Sequence, residues 1–183
     1  MSKKYISIPV VLGEKSFKSF LTFDVMKKQR LWKKPVALAV FFYMLATLSF
    51  ASQESYSRAA TVGSILVVIT VLIPTNYFRS FHASAKEQTQ KMNLSTPRHV
   101  YTVHLSSDTK GISYYYPDEK KAAGTYEWDS VTGAWRTKDA IYLYVTDKQA
   151  LLIPDNNKER DFEVIWEMIE KNLDKPRIHK VNR

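Results

Sequence analysis

The chain has 183 residues, enough for one ordinary domain with an appendage and too few for two full domains beside a membrane region. It has no cysteine, which excludes disulfides and thiol catalysis. It carries a net charge of +9 at a mean hydropathy of −0.29, so bulk composition does not announce a membrane protein.

YISIPVVL, from Tyr5 to Leu12, reads as a short strand, with Pro9 demoting it to an edge or a bulge and Gly13 ending it. From Glu14 to Lys33, Phe17, Phe20, Leu21, Val25 and Met26 recur near helical spacing between lysines, which predicts a helix. Pro35 predicts a bend where that helix meets the next segment. Residues 1–34 thus form an N-terminal strand and helix.

Two uncharged runs follow. PVALAVFFYMLATLSFASQ lies between Lys34 and Glu54, and AATVGSILVVITVLIPTNYF between Arg58 and Arg79. At about 1.5 Å per residue, each is long enough for the ~30 Å hydrocarbon core of a bilayer. Core helices of soluble domains rarely go five turns without a charge, since one side usually meets water. The pattern predicts a transmembrane hairpin over 35–78, with spans at 35–53 and 59–78, and Pro74 near the end of the second. More than thirty polar residues before the first run fit a signal peptide poorly.

Lys27, Lys28, Arg30, Lys33 and Lys34 precede the first span, and Arg79, Lys86, Lys91 and Arg98 follow the second. Only Arg58 stands between them, offset by Glu54. Basic flanks stay cytoplasmic, which places both termini inside a cell membrane and a tiny loop outside. Trp32 and Tyr77 suit the interfacial belt. Lys27, Lys28, Arg30, Lys33, Lys34 and Arg79 are the expected contacts to anionic lipid, each worth roughly 1 kcal/mol near the surface. That explains the basic charge more simply than nucleic acid, which is not an expected partner.

Residues 79–97 read as a connecting helix and linker, polar to Met92 and stopped over Asn93 to Pro97. From Arg98 the period changes to two. HVYTVHLS, ISYYYP, TYEWDSV, GAWRT, AIYLYV and QALLIP alternate between turn signals and predict about six antiparallel strands. In AIYLYV, Ile141, Leu143 and Val145 face one way, toward a closing helix, so Tyr142 and Tyr144 are expected on the solvent face. That helix is legible: Asn156 and Glu159 resemble a capping box, and Phe162, Ile165, Trp166, Ile169 and Leu173 form one apolar stripe. Lys171 and Lys175 fill its expected last turn, Pro176 ends it, and residues 177–183 read as a basic tail.

The order of elements, with Trp128 and Val131, then AIYLYV, then LLIP, then Phe162 opening a helix, resembles the bacterial YcxB-like proteins, whose C-terminal domain here would span 98–176. The departure is Asp155, where the family commonly has a basic residue after the proline. The resemblance implies a pleckstrin-homology-like fold of seven strands and one closing helix, the count reaching seven if Tyr5–Leu12 joins the sheet. It implies no biochemical activity. The expected fold class is therefore an α+β membrane protein: a two-helix transmembrane hairpin plus a cytoplasmic pleckstrin-homology-like antiparallel β domain closed by a C-terminal helix.

No cofactor, metal or catalytic residue is expected. His82, His99, His104 and His179 include no pair at helical metal-binding spacing, and five glycines leave little room for a phosphate-binding loop. Asp129, Asp139 and Asp147 fall at turns, where aspartate belongs for backbone reasons. Tyr115, Tyr142 and Tyr144 are the expected partner-binding surface, of the kind in which tyrosine is favoured. The expected function is a non-catalytic, membrane-anchored cytoplasmic binding or regulatory module that holds a protein partner or the membrane surface, homo-oligomers included. The alternative is an accessory or immunity-type protein whose hairpin acts on a transporter or a peptide toxin.

Overall fold

The structure is a computed structural model that describes residues 5–51, 56–107, 111–147, 149–155 and 159–181. It is α+β, with four α-helices and two mostly antiparallel sheets among the described residues. The chain forms two compact units, one made of residues 1–20 and 93–183, the other of 21–92.

In the first unit, β1 (Tyr5–Leu12) pairs antiparallel with β2 (Arg98–Ser106), so the N-terminal strand completes a sheet begun some 90 residues later. β3 (Ile112–Tyr115) and β4 (Gly124–Tyr126) follow in sequence order. Pro9 sits on an edge strand and the register shifts between Val10 and Val11. Gly111 holds φ at +54° before β3, where an added Cβ would lie 2.5 Å from the Tyr126 carbonyl oxygen.

The second sheet has the order β7-β6-β5-β8, from β5 (Gly133–Arg136), β6 (Ala140–Tyr144), β7 (Ala150–Pro154) and β8 (Ile178–Lys180). The expected basic tail is thus partly a strand, running parallel to β5. Trp128, expected within the strand TYEWDSV, instead opens a 3-10 turn, Trp128–Ser130, and its indole N–H donates to the Ser106 carbonyl (2.7 Å).

β6 corrects the tyrosine expectation. Tyr142 and Tyr144 are 3% and 2% exposed, not on a solvent face. β6 is a central strand, and Phe20 of α1 (Glu14–Phe23) lies 5.4 Å from the Tyr142 ring and 6.4 Å from that of Tyr144. On the opposite face, Arg136 pairs in register with Ile141 and lies over the rings of Phe162 and Trp166 of α4 (Glu159–Asn172). The sheet is covered on both sides, so its middle strand has no wet face for alternation to mark. The stripe on α4 is buried as expected, with Trp166 at 1% exposure and Ile169 at 0%. α4 stops at Asn172; Pro176 lies in a separate 3-10 turn, Lys175–Arg177, set off by the extended Asp174. Asn156 of the expected capping box lies outside the described residues.

In the second unit, α2 (Lys33–Ala51) packs along α3 (Tyr56–Lys91). The helix expected from Glu14 to Lys33 ends earlier: α1 passes into a π-helical turn, Asp24–Lys28, and the chain breaks over 29–32, where Arg30 takes φ +52°. Pro35 is not the cause of that break. It is the third residue of α2, in a first turn whose N–H groups have no intrahelical partner to lose. The boundary expected after Phe78 is also absent. α3 runs unbroken through Pro74 to Lys91, and stops where Asn93 takes φ +50°.

Candidate functional site

Two surfaces stand out, one on each unit. On the helix pair, small residues point inward and large apolar ones outward. Pro35, Ala39 and Ala46 of α2 are buried, as is Gly63 of α3. Phe41, Met44 and Leu48 of α2 are more than half exposed, and so are Ile65, Val68, Val71 and Leu72 of α3. A soluble core helix does the reverse. Small inward residues let two backbones approach, which is how helices pack where the surroundings are as apolar as their side chains. Among the described residues one helical segment, Ala60–Lys91, is by itself long and apolar enough to cross a membrane, and only 6% of its apolar window is buried. α2 meets that test together with the preceding helix, Glu14–Lys28 with Lys33–Leu48. The basic residues expected at lipid lie on this unit. Lys27, Arg30, Lys33, Lys34 and Arg79 are exposed and Lys28 is half-buried.

The second surface is the outward face of the first sheet. β1 presents Tyr5, Ser7 and Pro9 there, opposite Ser106, His104 and Thr102 of β2. Ser113 and Tyr115 of β3 continue it, and Thr125 of β4 ends it. All nine are exposed or half-exposed, whereas Val10, Val103, Leu105 and Ile112 on the other face are buried. Across it runs an aromatic stripe. The Tyr5 and His104 ring centroids are 4.9 Å apart and those of His104 and Tyr115 4.6 Å, with the Tyr5 hydroxyl bonded to His104 Nδ1. Partial burial lowers the His104 imidazole from its ordinary value, which favours the neutral form. Burial, and then Tyr115 nearby, push the Tyr5 phenol up.

The two sheets meet through a tyrosine. The Tyr101 hydroxyl donates to the Leu152 carbonyl (2.9 Å) and accepts from the Leu152 amide (2.8 Å). One side chain thus satisfies both outward backbone groups of an edge-strand residue, and Pro154 further along has no N–H to expose. Burial pushes the Tyr101 phenol well above its usual value of 10.0, which keeps the donor in place. Beside this contact is a groove of ≈ 450 Å³ lined by Ile6, Ile8, Ile153, Phe162 and Ile165, with Asp155 the one ionisable group among its described lining residues. Among the described residues no three His, Cys, Asp or Glu side chains gather as metal ligands.

The residues from the turn at Asp118 through β7 to Asp155 carry Trp128, AIYLY and the LLIP edge, and on these the YcxB-like protein family model matches, over residues 118–156. Over this stretch the chain is similar to the YcxB-like proteins. No curated protein and no solved structure matches it. The matched stretch supplies β4 of the first sheet and β5 to β7, the whole second sheet apart from β8.

Of the tyrosines singled out in sequence, Tyr115 lies on the open face and Tyr142 and Tyr144 do not. Tyr5 and His104 were missed. Their signal was available: Tyr5, Ser7 and Pro9 alternate with Ile6, Ile8 and Val10, which marks a half-buried strand with one wet face. Which strands flank it is a matter of pairing, and no local pattern encodes that.

Proposed function

We propose that this chain is a multi-pass membrane protein anchored by a two-helix hairpin, α2 with α3. Its β unit lies in the cytoplasm as a pleckstrin-homology-like, non-catalytic module that holds a protein partner. The observation that carries the reading is the inverted packing of α2 and α3, with alanine, glycine and proline between the helices and phenylalanine, leucine, isoleucine and valine outside. In water those outward side chains would form an apolar surface far beyond what a monomer leaves open. In hydrocarbon they cost nothing.

Four further facts support it. The basic residues before α2, and Arg79 after the apolar part of α3, favour the cytoplasmic side for both. About a dozen residues of α3 continue past Arg79, at roughly 1.5 Å each, as a polar helix suited to water. Two four-stranded sheets with one helix closing the second suit a pleckstrin-homology-like reading, with β8 as an addition. The open face of the first sheet, rich in tyrosine, serine and threonine, has the make-up of a binding surface.

Topology reporters test the anchoring. A reporter active only outside the cytoplasm should be active when inserted at Ser55 and silent at either terminus. Activity at the C-terminus overturns the hairpin.

A further inference from the structure

We propose that the groove between β1, β7 and α4 is a binding site for a small apolar amine, a protonated nitrogen carried on a compact aliphatic or aromatic body. The site lies wholly within the β unit, so the proposal goes beyond the anchored reading and does not depend on it.

The walls set the body of the ligand. A groove of ≈ 450 Å³ falls in the range of small-molecule pockets, which are lined mainly by apolar side chains with a few placed polar groups. Ile6 and Ile8 are only half-buried, whereas Leu105 and Val103, paired with them on β2, are fully buried. The groove is what the two isoleucines open onto.

The main chain sets the head. Ser106 of β2 gives its N–H to Gly111 on the β3 side, and alternation along an antiparallel strand turns His104 and Thr102 the same way. Pro9, opposite Thr102, therefore has its carbonyl on the open edge of β1, and Ser7 has its N–H and carbonyl there too. On β7, Leu152 turns both its groups outward to Tyr101, so Pro154 turns its carbonyl outward as well. Ala140, opposite Pro154, bonds to Thr137 instead. Each proline removes a donor and leaves an acceptor. Ser7, Pro9 and Pro154 thus bring carbonyls to the edges beside the groove, against the single N–H of Ser7. An added peptide strand needs donors and acceptors in alternation and finds a broken row. An ammonium only donates, and acceptors are what it needs.

Asp155 supplies the charge. It lines the groove, and its Oδ1 is buried with no hydrogen-bond partner among the described residues. Arg136, a cation within its field, is bonded through both guanidinium nitrogens to Glu163. An uncompensated carboxylate beside apolar walls is unfavourable, and a cation held against it offsets the penalty. A fatty acid suits the same walls but meets its own sign at Asp155.

The full-length protein, in lipid nanodiscs and with carbon-13 in its isoleucine methyl groups, is titrated with cyclohexylmethylamine. Parallel titrations use cyclohexylmethanol and cyclohexanecarboxylate, the same ring with a neutral and an anionic head. The amine should shift the Ile6, Ile8, Ile153 and Ile165 signals and saturate in the millimolar range, as suits a probe of so few atoms. Ile112 and Ile141, buried elsewhere, should stay in place, and Ile65 of α3 reports any partition into lipid. The alcohol should bind about tenfold more weakly and the carboxylate not at all. Asp155→Asn should bring the amine down to the affinity of the alcohol and leave the alcohol unchanged, with a melt to show that the variant is folded. Should it not fold, the three heads compared on the unaltered protein decide the matter alone. Equal affinity for amine and alcohol, preference for the carboxylate, shifts confined to other isoleucines, or no shift up to about 20 mM each overturn the proposal. A neutral peptide of alternating threonine and valine that shifts the groove signals at lower concentration than the amine assigns the groove to a polypeptide and also overturns it.

Discussion

Tyr101 joins two sheets with a single hydroxyl that both donates to and accepts from Leu152. Tyr101→Phe leaves that amide and carbonyl unpaired and should cost about 1–3 kcal/mol in a denaturant melt of the full-length protein in mild detergent. Tyr116→Phe, at an exposed ring, is the control. The same residue sets an alkaline limit. Its folded-state pKa is raised above the ordinary 10.0, so its contribution is complete below that pH and is lost as pH rises past it. The melting temperature should fall above about pH 10, and by less in Tyr101→Phe. His104 acts at the other end. Its folded pKa is lowered from 6.5, so the unfolded chain takes up the proton first. Stability should decline as pH drops below that value, and His104→Gln should flatten the decline.

At the scale of elements, β6 and α4 bear the core. Trp166→Ala on α4 should destabilise the β unit by about 3–5 kcal/mol, the cost of truncating a large buried aromatic. Tyr142→Ser and Tyr144→Ser should each cost several kcal/mol as well, since both rings are buried beneath Phe20. Lys138→Ala, at an exposed turn residue, should stay within about 0.5 kcal/mol. Gly111→Ala should be severe for its size, because the new Cβ meets the Tyr126 carbonyl in a left-handed backbone. Strands β2 to β7, the stripe on α4 and the stop at Asn93 were all legible, because alternation, helical period and turn chemistry are local. The π-helical turn and the break at Arg30 were not. They interrupt a periodic pattern without a proline or glycine to mark them.

Over the whole molecule, the apolar runs were readable from length and the absence of charge, and α3 bears out the coarser reading of one helix fit to span. Ser55, the site for the reporter insertion, lies outside the described residues. If the hairpin is correct, a thiol-reactive, membrane-impermeant label added to intact cells should reach Ser55→Cys and spare Lys138→Cys. Labelling of both, or of Lys138→Cys alone, would contradict the orientation. Of the proposed surface, only Tyr115 was legible. Tyr5 and His104 come from strands about a hundred residues apart, brought side by side by the pairing of β1 with β2.

The sequence by itself determined where helix, strand and apolar span lie, which residues of α4 face a core, and that thiol chemistry is absent. Each of these follows from a period, a run or a composition within some twenty residues. The tertiary structure decided what lies against what. It placed Tyr5–Leu12 at the edge of a sheet formed by the far end of the chain and turned the basic tail into a strand beside β5. It also buried both faces of β6. That last point is the general one. Alternation reports a strand with one wet side, and a strand roofed by α1 and floored by α4 has none. The rings of Tyr142 and Tyr144 read as a surface until the helix over them is known.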